Sequence, residues 1–234
     1  AKQNPEKLEA LIKAWFEEAD KNLVLPLDDR SPAEILGVER PSEEAPRERY
    51  IYYPGTSPVP EGVAVNVRGR SYKIIADVEI TDADASGVIF AHGSRFGGHS
   101  LFIKNKKLHY VYNFLGIKPE QKFVANDELK PGKYTLGMEF TREATGTNGE
   151  SLGKTKLYVN DKVVAQGDMK TQAGKFTLSG DGLCIGRDSG DAVSEEYKTP
   201  GEFQGGKILF VGVTVEKTQF LDLQVRAMAA MAVD

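Results

Sequence analysis

The stretch Tyr72-Lys73-Ile74-Ile75-Ala76-Asp77-Val78-Glu79-Ile80 decides the fold class of this chain. Tyr72, Ile74, Ala76, Val78 and Ile80 alternate with residues that include Lys73, Asp77 and Glu79. Because successive side chains of a β-strand point to opposite faces, this alternation predicts a strand with one buried and one solvated face.

Similar short apolar stretches follow at regular spacing towards the C-terminus. Asn160-Asp161 between two of them indicates a hairpin, and Asn105 between lysines indicates another turn. The further strand candidates are Gly87–His92, Ser100–Lys104, Lys107–Phe114, Lys133–Phe140, Thr155–Val159, Lys162–Gln166, Lys175–Ser179, Leu183–Gly186 and Ile208–Glu216. Many strands with Gly-rich turns and no alternating helices predict an all-β antiparallel sandwich rather than a βαβ fold.

The N-terminal quarter has a different pattern. Apolar residues at helical spacing predict an amphipathic helix over 5–20, with Asn4 as N-cap and Pro5 in the first turn. Residues 26–60 hold 7 of the 11 prolines and predict an irregular connector, with a helical turn at Pro32–Leu36. We therefore divide the chain into a helix plus connector over 1–62 and a β-sandwich over 63–234. The helix stripe packs either on its own domain or, through Trp15 and Phe16, on an upstream domain.

Composition and charge exclude several classes of function. The net charge of −4 arises in residues 1–50, whereas residues 51–234 carry 22 charges of each sign. A neutral sandwich without a basic stripe argues against nucleic-acid binding, and no apolar run reaches the roughly 20 residues that span a membrane. Cys184 is the single cysteine, so no intrachain disulfide forms. The chain begins without an apolar signal segment, and bacterial cytoplasm and periplasm both stay open as its location.

Two sets of short sequence stretches resemble known protein families. Leu157–Ala165 and Phe203–Ile208 are similar to the concanavalin A-like (laminin G-like) jelly roll, which implies that fold for about residues 65–225. Leu25–Arg30, Tyr52–Thr56, Ala91–Gly98 and Gly182–Asp188 resemble the C-terminal region of bacterial arylsulfatases. This second resemblance implies an accessory domain, inactive alone, of a sulfuric-ester hydrolase. Its partner would be the catalytic domain, in the same polypeptide or a separate chain, and formylglycine and calcium are expected only there.

The reaction centre of that family is not found in this chain. Cys184 is followed by Ile185-Gly186-Arg187 rather than by the formylglycine signature. Asp28-Asp29 has no Asp-Asn partner sequence, and two carboxylates are too few for a hard cation that takes about six oxygens. Asp77 and Glu79 have the spacing of a glycosidase pair but lack the longer signature, and strand alternation places them on the solvated face. We predict no catalytic residue, no metal ligand and no cofactor in this chain.

The histidines and Ser94 match neither a zinc-binding pattern nor a nucleophile pattern. His92 and His99 flank Gly93–Gly98, and with His109 they match no zinc spacing. Ser94 lies near two of these histidines but follows no strand-to-helix nucleophile turn.

A ligand-binding constellation remains. Tyr110 and Tyr112 share one face of a predicted strand and Asn113 lies on the other, while Arg95 and His99 belong to the preceding loop region. Aromatic rings with amide, guanidinium and imidazole donors could bind a glycan or an aromatic sulfate ester. The alternative is that the tyrosines form part of the core, since aromatic residues are favoured in strands. The predicted function is therefore an accessory structural domain of an arylsulfatase-like enzyme. A lectin-like module is the alternative, and a free-standing hydrolase with an unrecognised site is a third, weaker class.

Overall fold

A computed structural model describes residues 4–24, 47–174, 176 and 181–216 of the 234-residue chain. The chain divides into two compact units, one of residues 1–43 with 221–234 and one of residues 44–220. The described part of the first unit is an α-helix, and the second unit is a β-sandwich.

Helix α1 spans Pro5–Lys21, as the apolar spacing predicted. Pro5 lies in the first turn, where its missing N–H has no intrahelical partner to lose. Asn4 precedes the helix but makes no side-chain cap hydrogen bond. The apolar stripe of α1 is exposed by 41–61% at Leu8, Leu11, Ile12, Trp15 and Phe16. Within the described chain, no helix is long and apolar enough to cross a membrane.

Eleven strands are present among the described residues. They are β1 (Arg49–Tyr52), β2 (Tyr72–Ile80), β3 (Gly87–Ser94), β4 (Gly97–Lys104), β5 (Lys107–Asn113), β6 (Gln121–Val124), β7 (Gly132–Thr145), β8 (Ser151–Val159), β9 (Lys162–Thr171), β10 (Leu183–Ile185) and β11 (Gly206–Val215). One sheet has the order β1-β11-β2-β7-β8-β9 and the other the order β10-β3-β4-β5-β6. All pairings are antiparallel. The predicted all-β antiparallel sandwich of jelly-roll type is thereby confirmed.

Most predicted strands are found, with differences in length and number. Strand β1 lies inside the stretch predicted as an irregular connector, because Arg49–Tyr52 pairs with Val211–Thr214 of β11. Strand β6 was not predicted, since its four residues carry a short and partly charged pattern. The candidate strand Lys175–Ser179, the turn Pro32–Leu36 and the apolar C-terminal stretch Leu221–Met231 lie outside the described residues, Phe176 excepted. The division at residues 62 and 63 stays a prediction.

The main core fills the space between the two sheets. Strand β2 shows the predicted alternation: every second residue from Tyr72 to Ile80 is buried, and the residues between them are half-buried. The largest fully buried side chains include Tyr110, Tyr112, Phe90 and Phe140. The opposite side of β2 carries half-buried Asp77 and Glu79 on the outer face of the six-stranded sheet.

A second, smaller apolar cluster covers the outer face of the five-stranded sheet. It joins Val88, Ala91, Phe102 and Val111 from the sheet with Val193 from the segment after β10, and Tyr197 packs against it. The segment 187–204 therefore lies across this face rather than in solvent. This segment places charged side chains at the rim of the sandwich, where the candidate site lies.

Candidate functional site

The structure places three of the five predicted ligand-binding residues inside the core. His99 and Tyr110 are completely buried, and Tyr112 is 1% exposed. The Tyr110 hydroxyl lies 3.0 Å from the Tyr72 hydroxyl and 3.1 Å from Nδ1 of His99. The Tyr112 hydroxyl accepts a hydrogen bond from the backbone N–H of Gln172 at 2.8 Å.

These three side chains are covered by protein, so none of them offers a stacking surface to a ligand outside the sandwich. The physical reason is that their strand face points between the two sheets, where aromatic side chains supply much of the buried apolar area. Burial also raises the pKa of Tyr110 and Tyr112 far above the ordinary range. The tyrosine row is core, as the alternative interpretation held.

Asn113 has a different role because it lies on the other face of β5. Its side-chain amide donates to the backbone carbonyls of Arg95 at 3.1 Å and Val193 at 2.9 Å. Its side-chain oxygen accepts from the backbone N–H of Gly116 at 2.9 Å. One side chain thus ties together the β3–β4 turn, the loop after β5 and the segment after β10.

A cavity of about 370 Å³ opens where these three segments meet. Its walls combine basic, acidic, amide and hydroxyl side chains with a small apolar patch. The lining residues are Arg95, Asn113, Lys118, Glu120, Ala192, Val193, Ser194, Glu195 and Tyr197. We call it the rim cavity. Arg95 and Asn113 are the two predicted residues that the structure brings together here.

The β3–β4 turn carries an exposed aromatic ring beside Arg95. Phe96 is 59% exposed, and the Arg95 guanidinium carbon lies 4.8 Å from its ring centroid. The same guanidinium pairs with Asp191 at 3.1 Å. The exposed Phe96 ring therefore forms an apolar surface beside the Arg95 side of the rim cavity.

Glu120 is the most buried acidic group of the rim cavity. Its side chain is 4% exposed, and Lys118 and Lys122 each place Nζ 3.9 Å from one of its oxygens. The Ser194 hydroxyl donates to one carboxylate oxygen at 2.8 Å, and the backbone N–H of Glu195 donates to the other at 3.0 Å. No sequence pattern points to Glu120, because a single Glu after Lys-Pro is typical of an ordinary loop.

Asp188 and Tyr197 fasten the segment that forms one wall. Tyr197 donates its hydroxyl hydrogen to Asp188 at 2.6 Å, and the backbone N–H of Val193 donates to the same oxygen at 2.9 Å. Burial raises the pKa of Asp188 to about 6, against the lowering effect of these two hydrogen bonds. The Asp188 carboxylate is buried and is bonded by two groups of the same segment, so we interpret the Asp188–Tyr197 pair as structural.

The far end of the same segment is held by lysines. Lys104 donates to the backbone carbonyl of Glu196 at 2.8 Å and pairs with its carboxylate at 2.6 Å. Lys122 also pairs with that carboxylate. Hydrogen bonds from Lys104 and Lys122 lower the pKa of Glu196 to about 2.

His92 and His99 form a buried pair across β3 and β4. They are direct cross-strand partners, with ring centroids 5.8 Å apart. Both ring nitrogens of His92 and Nε2 of His99 have no hydrogen-bond partner among the described residues. Burial, with a smaller contribution from Arg68, lowers the pKa of His92 to about 3, and burial lowers that of His99 as well. Within the described residues, no group of three or more His, Cys, Asp or Glu side chains could hold a metal ion.

The remaining residues considered for chemistry are also accounted for. Cys184 is buried in β10 with Sγ 3.1 Å from the Ser189 hydroxyl. Asp77 accepts a hydrogen bond from the Thr135 hydroxyl at 3.0 Å. Glu79 lies in register between Lys133 and Lys207 of the two neighbouring strands. Asp28-Asp29 lies outside the described residues.

Three other surface cavities have larger volumes. One of about 530 Å³ lies between Lys104 and the segment 196–204, and one of about 640 Å³ lies beside Leu129 and Tyr134. A third of about 380 Å³ lies beside Gln121 and Lys170. The rim cavity is the more specific candidate, because it combines a nearly buried carboxylate with an amide fixed by three hydrogen bonds.

Comparison with known proteins finds similarity only among solved structures. No family model matches the chain, and no curated protein matches it. Among solved structures, the mouse laminin α1 chain, domains LG4–5, is 14% identical with a TM-score of 0.45, covering 75% of this chain and 42% of that one. The LG1–3 region of the laminin α2 chain is 10% identical with a TM-score of 0.41, covering 74% and 32%. A tryptophan-to-alanine mutant of HCR/D is 9% identical with a TM-score of 0.42, covering 80% and 43%.

The chain spans less than half the length of each of these solved chains. At such identities and TM-scores, the similarity carries no statement about ligands or activity. None of these matches links the chain to an arylsulfatase. The fold of the described residues is an antiparallel β-sandwich of two sheets.

Proposed function

We propose that this chain is an accessory domain that binds a glycan at the rim cavity. The observation that carries the proposal is the convergence of Asn113, Glu120 and Ser194 in one cavity, beside the exposed ring of Phe96. Sugars present hydroxyl groups that need both donors and acceptors, and apolar C–H faces that pack on aromatic rings.

The walls of the cavity are held in place before any ligand binds. Asn113 joins three segments through its amide, and Glu120 holds Ser194 and Glu195 through its two oxygens. Fixed walls reduce the ordering cost of binding, which otherwise offsets much of the contact energy. The volume of about 370 Å³ lies at the lower end of the range for small-molecule sites, which suits one sugar unit at the end or within a longer glycan.

The test is an array of neutral oligosaccharides and 6-O-sulfated forms of the same oligosaccharides, followed by titration calorimetry on those that bind. We expect Phe96→Ala to weaken binding by about tenfold, the size of a lost aromatic contact. Phe96 is exposed, so its removal leaves the core intact.

Tyr53→Ala is the matched control, since Tyr53 is an equally exposed aromatic residue at 57% that follows β1 at the edge of the six-stranded sheet, whereas Phe96 lies against Arg95 of the rim cavity. Equal weakening by both variants, or no binding to any glycan on the array, would overturn the proposal.

A second candidate function rests on helix α1. Its five large apolar side chains are 41–61% exposed, and a contiguous apolar stripe of this size is typical of a surface that another protein covers. This favours the role predicted from the sequence, in which the chain braces the catalytic domain of an arylsulfatase-like enzyme.

That candidate predicts a formylglycine signature in the polypeptide upstream of Ala1. The polypeptide containing both regions should hydrolyse 4-nitrophenyl sulfate, and this chain alone should not. Trp15→Ala should lower the melting temperature of the longer polypeptide. Turnover by this chain alone would contradict it.

A further inference from the structure

We infer that the rim cavity selects an uncharged glycan and discriminates against a sulfated one. This inference rests on the proposed function, and it replaces the sulfate ester suggested by the sequence with a neutral sugar. It follows from how the charged side chains around the cavity are arranged.

Two basic side chains line the cavity and two lie beyond it, and each of the four has a carboxylate partner. Within the cavity, Arg95 pairs with Asp191 at 3.1 Å, and Lys118 pairs with Glu195. Lys122, which lies 3.9 Å from Glu120, and Lys104, which lines the neighbouring cavity of about 530 Å³, both pair with Glu196.

Glu120 adds a fourth acidic side chain, so the basic and acidic groups are equal in number. It lies deeper than the others, since its side chain is 4% exposed while that of Arg95 is 66% exposed. Among the charged groups that line the cavity, the one furthest from solvent is therefore acidic. Because charge interactions are least screened away from solvent, this carboxylate weighs most against an anionic ligand.

A sulfate group would have to separate Arg95 from Asp191, or Lys118 from Glu195, in order to bind. The displaced carboxylate would stay close, and like charges held together at an interface oppose binding. A sugar hydroxyl needs no such separation, because it can accept from a lysine or arginine and donate to the carboxylate of the same pair.

The experiment compares unsulfated and 6-O-sulfated N-acetyllactosamine oligosaccharides by titration calorimetry, together with any other matched pair whose neutral form binds on the array. We expect the unsulfated form to bind about tenfold more tightly or better. Its affinity should change little between about 0.05 M and about 0.5 M NaCl, because no net charge is neutralised on binding.

Two variants are expected to reduce the preference for the neutral glycan over the sulfated one. Asp191→Asn removes the carboxylate that pairs with Arg95, and Glu195→Gln removes the closest carboxylate to Lys118, so each should raise the affinity for the sulfated form several-fold relative to the affinity for the neutral form. Asp168→Asn is the matched control, since it breaks a surface pair with Lys154 on β8 and β9 that does not line the rim cavity.

The outcomes separate the two proposals. Tighter binding of sulfated than of unsulfated glycans by the unmodified chain would overturn this inference and leave the proposed function standing. Equal effects of Asp191→Asn and Asp168→Asn would also overturn it. Failure of every glycan to bind would overturn the proposed function, and this inference with it.

Discussion

The buried pair of histidines predicts how the stability of the sandwich depends on pH. His92 is 2% exposed, and burial holds its pKa at about 3, compared with 6.5 in an exposed histidine. Below about pH 6.5 the unfolded chain binds a proton at this residue and the folded chain does not. The unfolded state then binds more protons, so the free energy of unfolding falls as the pH falls.

The size of the effect follows from the two pKa values. Each pH unit between them costs about 1.4 kcal/mol, so lowering the pH from about 7.5 to about 4.5 removes about 2.7 kcal/mol through His92. His99 contributes with the same sign. Asp188 contributes with the opposite sign, because its raised pKa lets the folded state bind a proton first below about pH 6.

His92→Gln isolates the contribution of one group, since glutamine does not titrate and Asp188 is common to both proteins. Urea unfolding at several pH values should show the variant losing about 2.7 kcal/mol less than the unmodified chain over that range. Parallel pH profiles of the two proteins would refute the reasoning. A ring of His92 that is protonated at about pH 5 in NMR spectra of the folded chain would refute it independently.

Two further substitutions test the packing of the core. Tyr112→Phe removes the acceptor of the Gln172 N–H and should lower the free energy of unfolding in urea by about 1–3 kcal/mol, whereas Tyr134→Phe, at an exposed loop bond, should cost less than about 1 kcal/mol. Equal losses would contradict the buried bond. Gly93→Ala should lower the melting temperature strongly, since φ is +108° and a Cβ there would lie 2.3 Å from a backbone oxygen. Gly62→Ala, with open space around it, should change the melting temperature little, and a similar shift in both variants would contradict the geometry.

The sandwich could be predicted from the sequence because alternation is a local property. In β2 the side chains that face the core are apolar and those that face outward include Lys73 and Asp77, so its nine residues suffice to identify a strand. Strand β1 could not be recognised in this way. Its four residues form a strand only because they pair with β11, and β11 lies about 160 positions later in the chain.

The candidate site was predicted only in part, because the sequence does not reveal which face of β5 is covered. Tyr110 and Asn113 are three residues apart, yet one lies in the main core and the other lies under the segment after β10. Glu120 and Ser194 are separated by 74 positions and meet through the fold alone. The order of residue types along the chain does not predict such a contact.

The most direct test of the central claim is an NMR titration of the isotope-labelled chain with the unsulfated array oligosaccharide that binds most tightly. We predict that the backbone signals of residues 95–96, 113–120 and 191–197 shift together, with the side-chain amide of Asn113 among them. Shifts confined to the outer face of the six-stranded sheet, around Asp77 and Glu79, would contradict the assignment of the rim cavity as the binding site.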